Sequence, residues 1–202
     1  MKLIYLRPSS WESNSFLLIE NGSAILIDAG APLHKIKDCL SREGATLKKI
    51  LLTHGHFDHI LSIDSLRDEY DAPVYLHEAD AAMLTDGNLN AYSYFFREPR
   101  AWRPADVLLH DGDSIPFEDH TLTVLSTPGH TKGSVCYLTE DLLFSGDTVF
   151  SDGCGRTDLF GGDPEELDCS LERLFTLPQS LTVHPGHGVS AAMEHVKHNL
   201  GY

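Results

Sequence analysis

Positions 53 to 59 read Thr53-His54-Gly55-His56-Phe57-Asp58-His59, and few folds can accommodate that run. Burying three imidazoles and a carboxylate without partners is costly, so such a cluster implies a purpose. Upstream, Lys48-Lys49-Ile50-Leu51-Leu52 reads as a short buried strand. Downstream, Ile60, Ile63 and Leu66 have helical spacing over Ile60 to Tyr70. The cluster therefore lies on a strand-to-helix turn, where side chains converge. Imidazole nitrogen and carboxylate oxygen suit Zn²⁺, Fe²⁺ or Mn²⁺, and the turn offers no thiolate. Four donors within six residues of a tight turn cannot all face one ion. The pattern predicts two adjacent ions, each completed by residues from later in the chain.

A length of 202 residues predicts one domain spanning 1–202 with a substantial core. No apolar run is long enough to span a bilayer, and the start does not resemble a signal peptide. The expectation is a cytoplasmic protein with no membrane partner. Cys39, Cys136, Cys154 and Cys169 are scattered without a C-x-x-C pair, which predicts reduced thiols. Thirty acidic against fifteen basic residues give a net charge of −15, a field that repels nucleic acid and anionic membranes. Bound divalent cations would offset part of it.

Lys2 to Leu6, Ser15 to Glu20 and Ala24 to Asp28 read as strands, the last two joined by an Asn21-Gly22 turn. Asp28, at a strand end, has two readings. It can accept a hydrogen bond from a ligand histidine, or it can cap the helix that begins near Leu33. Ala72 to His77 reads as another strand, and Glu78 to Leu84 as a short helix. Thr85 to Ala105 has no clean period but carries Tyr92, Tyr94, Phe95, Phe96 and Trp102. So long a loop suggests either a pocket cover or packing beneath a helix. Strands follow at 107–109, 114–117, 121–126, 133–138 and 142–145. Next come a helix from Pro164 to about Leu177 capped by Asp163, a strand at Leu181 to His184, and a last helix from about Ser190. Strands in two runs, with helices between and after them, predict two sheets face to face with helices outside.

Three later residues share a context, each preceded by glycine just past an apolar strand. They are His130 in Thr127-Pro128-Gly129-His130, Asp147 in Ser145-Gly146-Asp147 and His187 in Pro185-Gly186-His187-Gly188. With these, the sequence resembles the metallo-β-lactamase superfamily. The H-x-H-x-D-H turn and the P-G-H-T, G-D and G-H-G motifs occur in that family's order. The resemblance implies an α/β fold, the αβ/βα four-layer sandwich. It also implies His54, His56 and His130 on one metal, Asp58, His59 and His187 on the other, and Asp147 bridging them together with a hydroxide. Zinc is the first expectation, with iron or manganese as alternatives.

Within the family, an aspartate at 147 argues against antibiotic hydrolysis, since typical zinc β-lactamases carry cysteine or another ligand there. Gly153-Cys154-Gly155-Arg156 resembles the loop of glyoxalase II whose basic residue contacts the thiol conjugate, which implies substrate contact by Arg156. An ion pair to Asp158 is the other reading of that arginine. The chain stops at Tyr202, so the resemblance is to single-domain relatives lacking the C-terminal helical glutathione-binding domain. The implied activity is hydrolysis of a small-molecule thioester by a metal-bridging hydroxide, with Asp58 moving the proton. The rival readings are a mononuclear iron persulfide dioxygenase using His54, His130 and Asp147, a lactonase, and a binding module without turnover.

Overall fold

The Asn21-Gly22 dipeptide sets the first register. In a computed structural model describing residues 1–8 and 10–202, β1 (Lys2–Leu6) pairs antiparallel with β2 (Ser15–Glu20), and β2 pairs with β3 (Ser23–Ile27). Both turn residues take positive φ, 49° and 76°, as a tight hairpin requires. After β3, parallel pairing needs crossovers, and helices supply them. Helix α1 (Leu33–Glu43) leads to β4 (Thr46–Leu51), α2 (Ile63–Tyr70) leads to β5 (Val74–His77), and α3 (Ala81–Thr85) with α4 (Tyr92–Phe96) leads to β6 (Val107–Leu109). The unit Met1–Leu109 thus holds a mixed sheet in the order β1-β2-β3-β4-β5-β6. Strands β2 and β3 are buried at nearly every position, which is why they read as continuous apolar runs. On α1, Ile36, Cys39 and Leu40 form the buried stripe, and Gly44 ends the helix in the left-handed region.

The unit His110–Tyr202 holds the second mixed sheet, ordered β12-β11-β10-β9-β8-β7. Its strands are β7 (Ser114–Phe117), β8 (His120–Ser126), β9 (Val135–Leu138), β10 (Leu142–Gly146), β11 (Thr182–Pro185) and β12 (Ala191–Ala192). Only β10 and β11 run parallel, joined through α5 (Pro164–Leu174). The Asp163 carboxylate accepts from the Glu165 and Glu166 amides at 2.9 and 3.2 Å, with Pro164 at the first helical position, as expected. Leu167, Leu171 and Leu174 of α5, with Met193 and Val196 of α6 (Met193–Leu200), pack on Cys136, Leu143 and Val183. Truncating any of these leucines to Ala would cost about 2–5 kcal/mol. His184 stacks on Phe144, and burial pushes its pKa down to about 4. No helix among the described residues is long and apolar enough to cross a membrane.

The structure departs from the sequence reading at several element boundaries, among them that of the helix read from Glu78, which begins at Ala81 after a 3₁₀ turn. The helix expected from Ile60 begins at Ile63, after a separate 3₁₀ turn at Phe57–His59. There the backbone is committed elsewhere: the Ala29 amide donates to His59 O and the Ser62 amide to Ala29 O. The helix expected from Ser190 begins at Met193, because Ala191 and Ala192 pair with β11. Helix α5 ends at Leu174, three residues short of expectation. Within 85–105 only the five-residue α4 is regular, bounded by Ala91 and Arg97 at φ 67° and 60°.

Arg67 pins the end of that segment. It donates to the Asp106 carboxylate at 2.8 and 3.0 Å and to the carbonyls of Pro104 and Arg103. Arg67→Met should lower the free energy of urea unfolding by about 2 kcal/mol, short of the roughly 3–5 of a fully buried pair. The discount arises because the Asp106 side chain is 48% exposed. An unchanged unfolding midpoint would show that the network stabilises nothing.

Candidate metal centre

Strands β3 and β4 are parallel neighbours, with Ile27 opposite Leu51, so the residues that follow them emerge side by side. That places Asp28 beside the histidine turn. Asp28 Oδ1 accepts from the Thr53 amide at 2.8 Å. Its Oδ2 accepts from Thr53 Oγ1 at 2.8 Å and from His59 Nδ1 at 2.9 Å. Helix α1 has Pro32 at its N-cap with no side-chain cap, so the capping reading of Asp28 fails. Asp28 sits at φ 55°, a left-handed conformation that aspartate tolerates better than most residues.

These contacts dictate tautomers. An ionised carboxylate only accepts, so His59 carries its proton on Nδ1 and presents the Nε2 lone pair. Thr53 spends its single hydroxyl proton on Asp28, so its oxygen accepts from His54 Nδ1 at 3.1 Å. His54 therefore also presents Nε2. The donor atoms of His54 lie within 4.8 Å of those of both His56 and His59. Asp58 Oδ2 is 3.8 Å from His59 Nε2. Gly55 is required here, because a Cβ would stand 2.6 Å from that of Met83, and its amide donates to buried Asp80 at 3.0 Å.

The second unit builds its donors from another set of strand ends. Strand β8 is two antiparallel steps from β10, so their carboxyl ends share one sheet edge, and parallel β11 ends there too. His130, Asp147 and His187 follow those ends. Asp147 Oδ2 lies 3.7 Å from His130 Nε2 and 3.6 Å from His187 Nε2. His130 Nδ1 donates to the Arg156 carbonyl at 2.7 Å, which again leaves Nε2 as the donor atom for a metal. The Arg156 guanidinium pairs with Asp158 at 2.5 and 2.7 Å, which holds the Asp158 carboxyl down near pKa 2. The ion-pair reading of Arg156 is thus the one present, and the main chain of the same residue orients His130. Gly155 supports the arrangement: a Cβ would fall 2.0 Å from Asp147 O and 2.8 Å from His130 Nδ1. Gly129, at φ 130°, lies against Leu167, where a side chain has no room.

The donor set fits divalent ions. Ligand atoms bound tetrahedrally at about 2.0–2.2 Å sit about 3.3–3.6 Å from one another. The Asp147 contacts and the Asp58–His59 contact fall at or just beyond that separation. Hydrogen bonding of the distal ring nitrogen to carboxylate, hydroxyl or carbonyl is the usual support of a metal-binding histidine. Sequence reading missed Thr53, Asp80, Gly155 and the Arg156 carbonyl, because backbone and hydroxyl partners leave no spacing signature.

The model of the metallo-β-lactamase superfamily matches residues 10–187, and the chain belongs to that family. It is 40% identical over 180 residues to the probable metallo-hydrolase YqgX of Bacillus subtilis, covering 88% of this chain and 85% of that one. Its fold is similar to that of the BLEG-1 B3 metallo-β-lactamase, with TM-score 0.92, 36% identity and coverage of 98% and 97% of the two chains. It is also similar to TTHA1623 in a di-iron-bound form, with TM-score 0.82, 33% identity and 96% of each chain covered. The two mixed sheets with their helices are those of the metallo-β-lactamase fold, in the α/β four-layer class expected. In keeping with that family, histidine and aspartate side chains of the chain are grouped closely enough to hold a metal ion.

Asp28→Asn substitutes a group with one acceptor oxygen where three donors converge. Metal affinity measured against a competing chelator should fall about 10–100-fold, as for other supporting-residue losses. Equal affinity would remove Asp28 from the account. Gly155→Ala should reduce bound metal and lower the melting temperature together, since the Cβ meets the Asp147 backbone and His130 at once. Retention of full metal content would show that the loop can yield.

Proposed function

We propose that the chain is a binuclear metal hydrolase of thioesters, similar to single-domain glyoxalase II relatives. His54, His56 and His130 would hold one divalent ion, and Asp58, His59 and His187 the other, with Asp147 shared. Zinc is the proposed metal, with iron or manganese as alternatives. The observation that carries the reading is the fixed tautomers of His54, His59 and His130, each held at Nδ1 from within its own unit. Two divalent ions held there would lower the pKa of a shared water toward neutrality and polarise the thioester carbonyl.

The chain's own groups do the rest. Asp58, with its side chain 16% exposed, accepts the proton of the attacking water at a carboxylate oxygen and passes it to the departing thiol. Arg156 receives an acidic group of the thiol carrier. Its pair with Asp158 is exposed and screened by water, so exchanging one carboxylate for another costs little. No nucleophilic serine or cysteine is needed.

The test is thiol release from S-lactoylglutathione and from a smaller thioester by metal-loaded protein, with a β-lactam assayed beside them. The His54→Ala/His56→Ala double variant should fall to background. Asp58→Asn should lower kcat by about 10²–10⁴-fold, the usual range for a lost proton-transfer group. Thiol release that survives in the double variant would sink the mechanism. The likeness to BLEG-1 makes β-lactam hydrolysis the second reading, and turnover of the β-lactam with inert thioesters would favour it.

A further inference from the structure

Phe57 lies between the proposed ligands His56 and Asp58, and its ring is the base of an aromatic surface. Trp11, Tyr92, Phe95 and Phe96 all pack on it, with centroids 5.3–5.6 Å away. Tyr94 extends the surface from Phe95 at 5.2 Å. Phe57 is buried, yet Trp11, Tyr94, Phe95 and Phe96 are 48%, 67%, 52% and 42% exposed. Contiguous exposed apolar surface of this kind marks a place where something binds.

The presentation is built in. A five-residue helix such as α4 does not persist alone in water. Here Asn90 accepts from the Tyr92 amide and donates to the Met83 and Arg100 carbonyls, while its own carbonyl accepts from the Phe57 amide. Ala91 and Arg97 hold left-handed φ at either end, at a cost of about 1 kcal/mol or more each. The Asn90 bonds offset that cost and hold the start of α4 against the Phe57 backbone.

We infer that this surface selects the substrate's acyl group, and that the group is flat and apolar, an aryl-type acyl chain. The inference rests on the hydrolase reading above. Continuity with the ligand-bearing turn supports it: Phe57 lies between His56 and Asp58 in the chain, and the amide of Ser13, two residues from Trp11, donates to the Asp58 carbonyl at 3.3 Å. Aromatic pairs gain from edge and face geometry beyond simple burial, which favours a ring as occupant. A charge of −15 opposes a second copy of this chain or an anionic membrane.

The experiment compares phenylacetyl and acetyl thioesters of one small thiol. Metal-loaded wild type should prefer the aryl ester about tenfold in kcat/KM, and Trp11→Ala or Phe95→Ala should bring the ratio near one. Trp11→Phe should restore most of the preference, which a merely structural defect would not do. A second readout needs no turnover: a non-hydrolysable phenethyl thioether should quench Trp11 fluorescence saturably, and less so in Phe95→Ala. Saturable quenching with every thioester inert would keep the recognition surface and overturn the hydrolase reading. Thioester turnover with equal aryl and acetyl rates, or a preference untouched by both alanine variants, would overturn the inference alone. Dimerisation abolished by Trp11→Ala, with no thioether binding, would overturn it in favour of an interface between copies.

Discussion

One carboxylate orders the first unit's candidate metal-ligating histidines. Asp28 is 1% exposed, and an ionised group so buried is tolerable only when donors surround it. Its donors are Thr53, through amide and hydroxyl, and His59. Because a carboxylate cannot donate, the direction of every proton in that network is fixed. Two imidazoles, one in direct contact and one through Thr53, are left with Nε2 as their donor atom. Sheet topology makes this contact available, since parallel β3 and β4 deliver Asp28 and Thr53 to the same edge.

The second unit solves the same problem differently. Its imidazole is held by a main-chain carbonyl, that of Arg156, which also only accepts. A carbonyl is fixed in place by its loop, so the loop must close tightly, and Gly155 permits that approach against Asp147 and His130. Support by carboxylate tolerates side-chain adjustment, whereas support by a carbonyl depends on backbone shape. The Gly153-Cys154-Gly155-Arg156 run therefore has a structural role through its main chain. Its exposed Cys154 takes no part in these hydrogen bonds.

Much of this was legible in the sequence, and for identifiable reasons. Clustered donors at 54–59, and glycine before His130, Asp147 and His187, are local signals that survive without coordinates. Strand positions were recovered because the inner strands are unbroken apolar runs. What escaped depends on pairing between distant segments. Asp28 had two readings until β3 was seen beside β4. Ala191 and Ala192 have weak strand propensity and become a strand only through β11. The helix after the metal turn starts late because Ala29, thirty residues earlier, takes the backbone bonds that a helix would use. The aromatic segment 85–105 showed its composition but not its anchor, since Asn90 works through backbone groups.

The proposal on which the function rests is that His54, His56, Asp58, His59, His130, Asp147 and His187 serve two ions. Metal content per chain, measured by plasma mass spectrometry on protein purified without added metal, tests it most directly. The account predicts close to two equivalents of zinc, iron or manganese in total. One equivalent, nearly all iron, would contradict it and point to a mononuclear oxidative centre on the same scaffold.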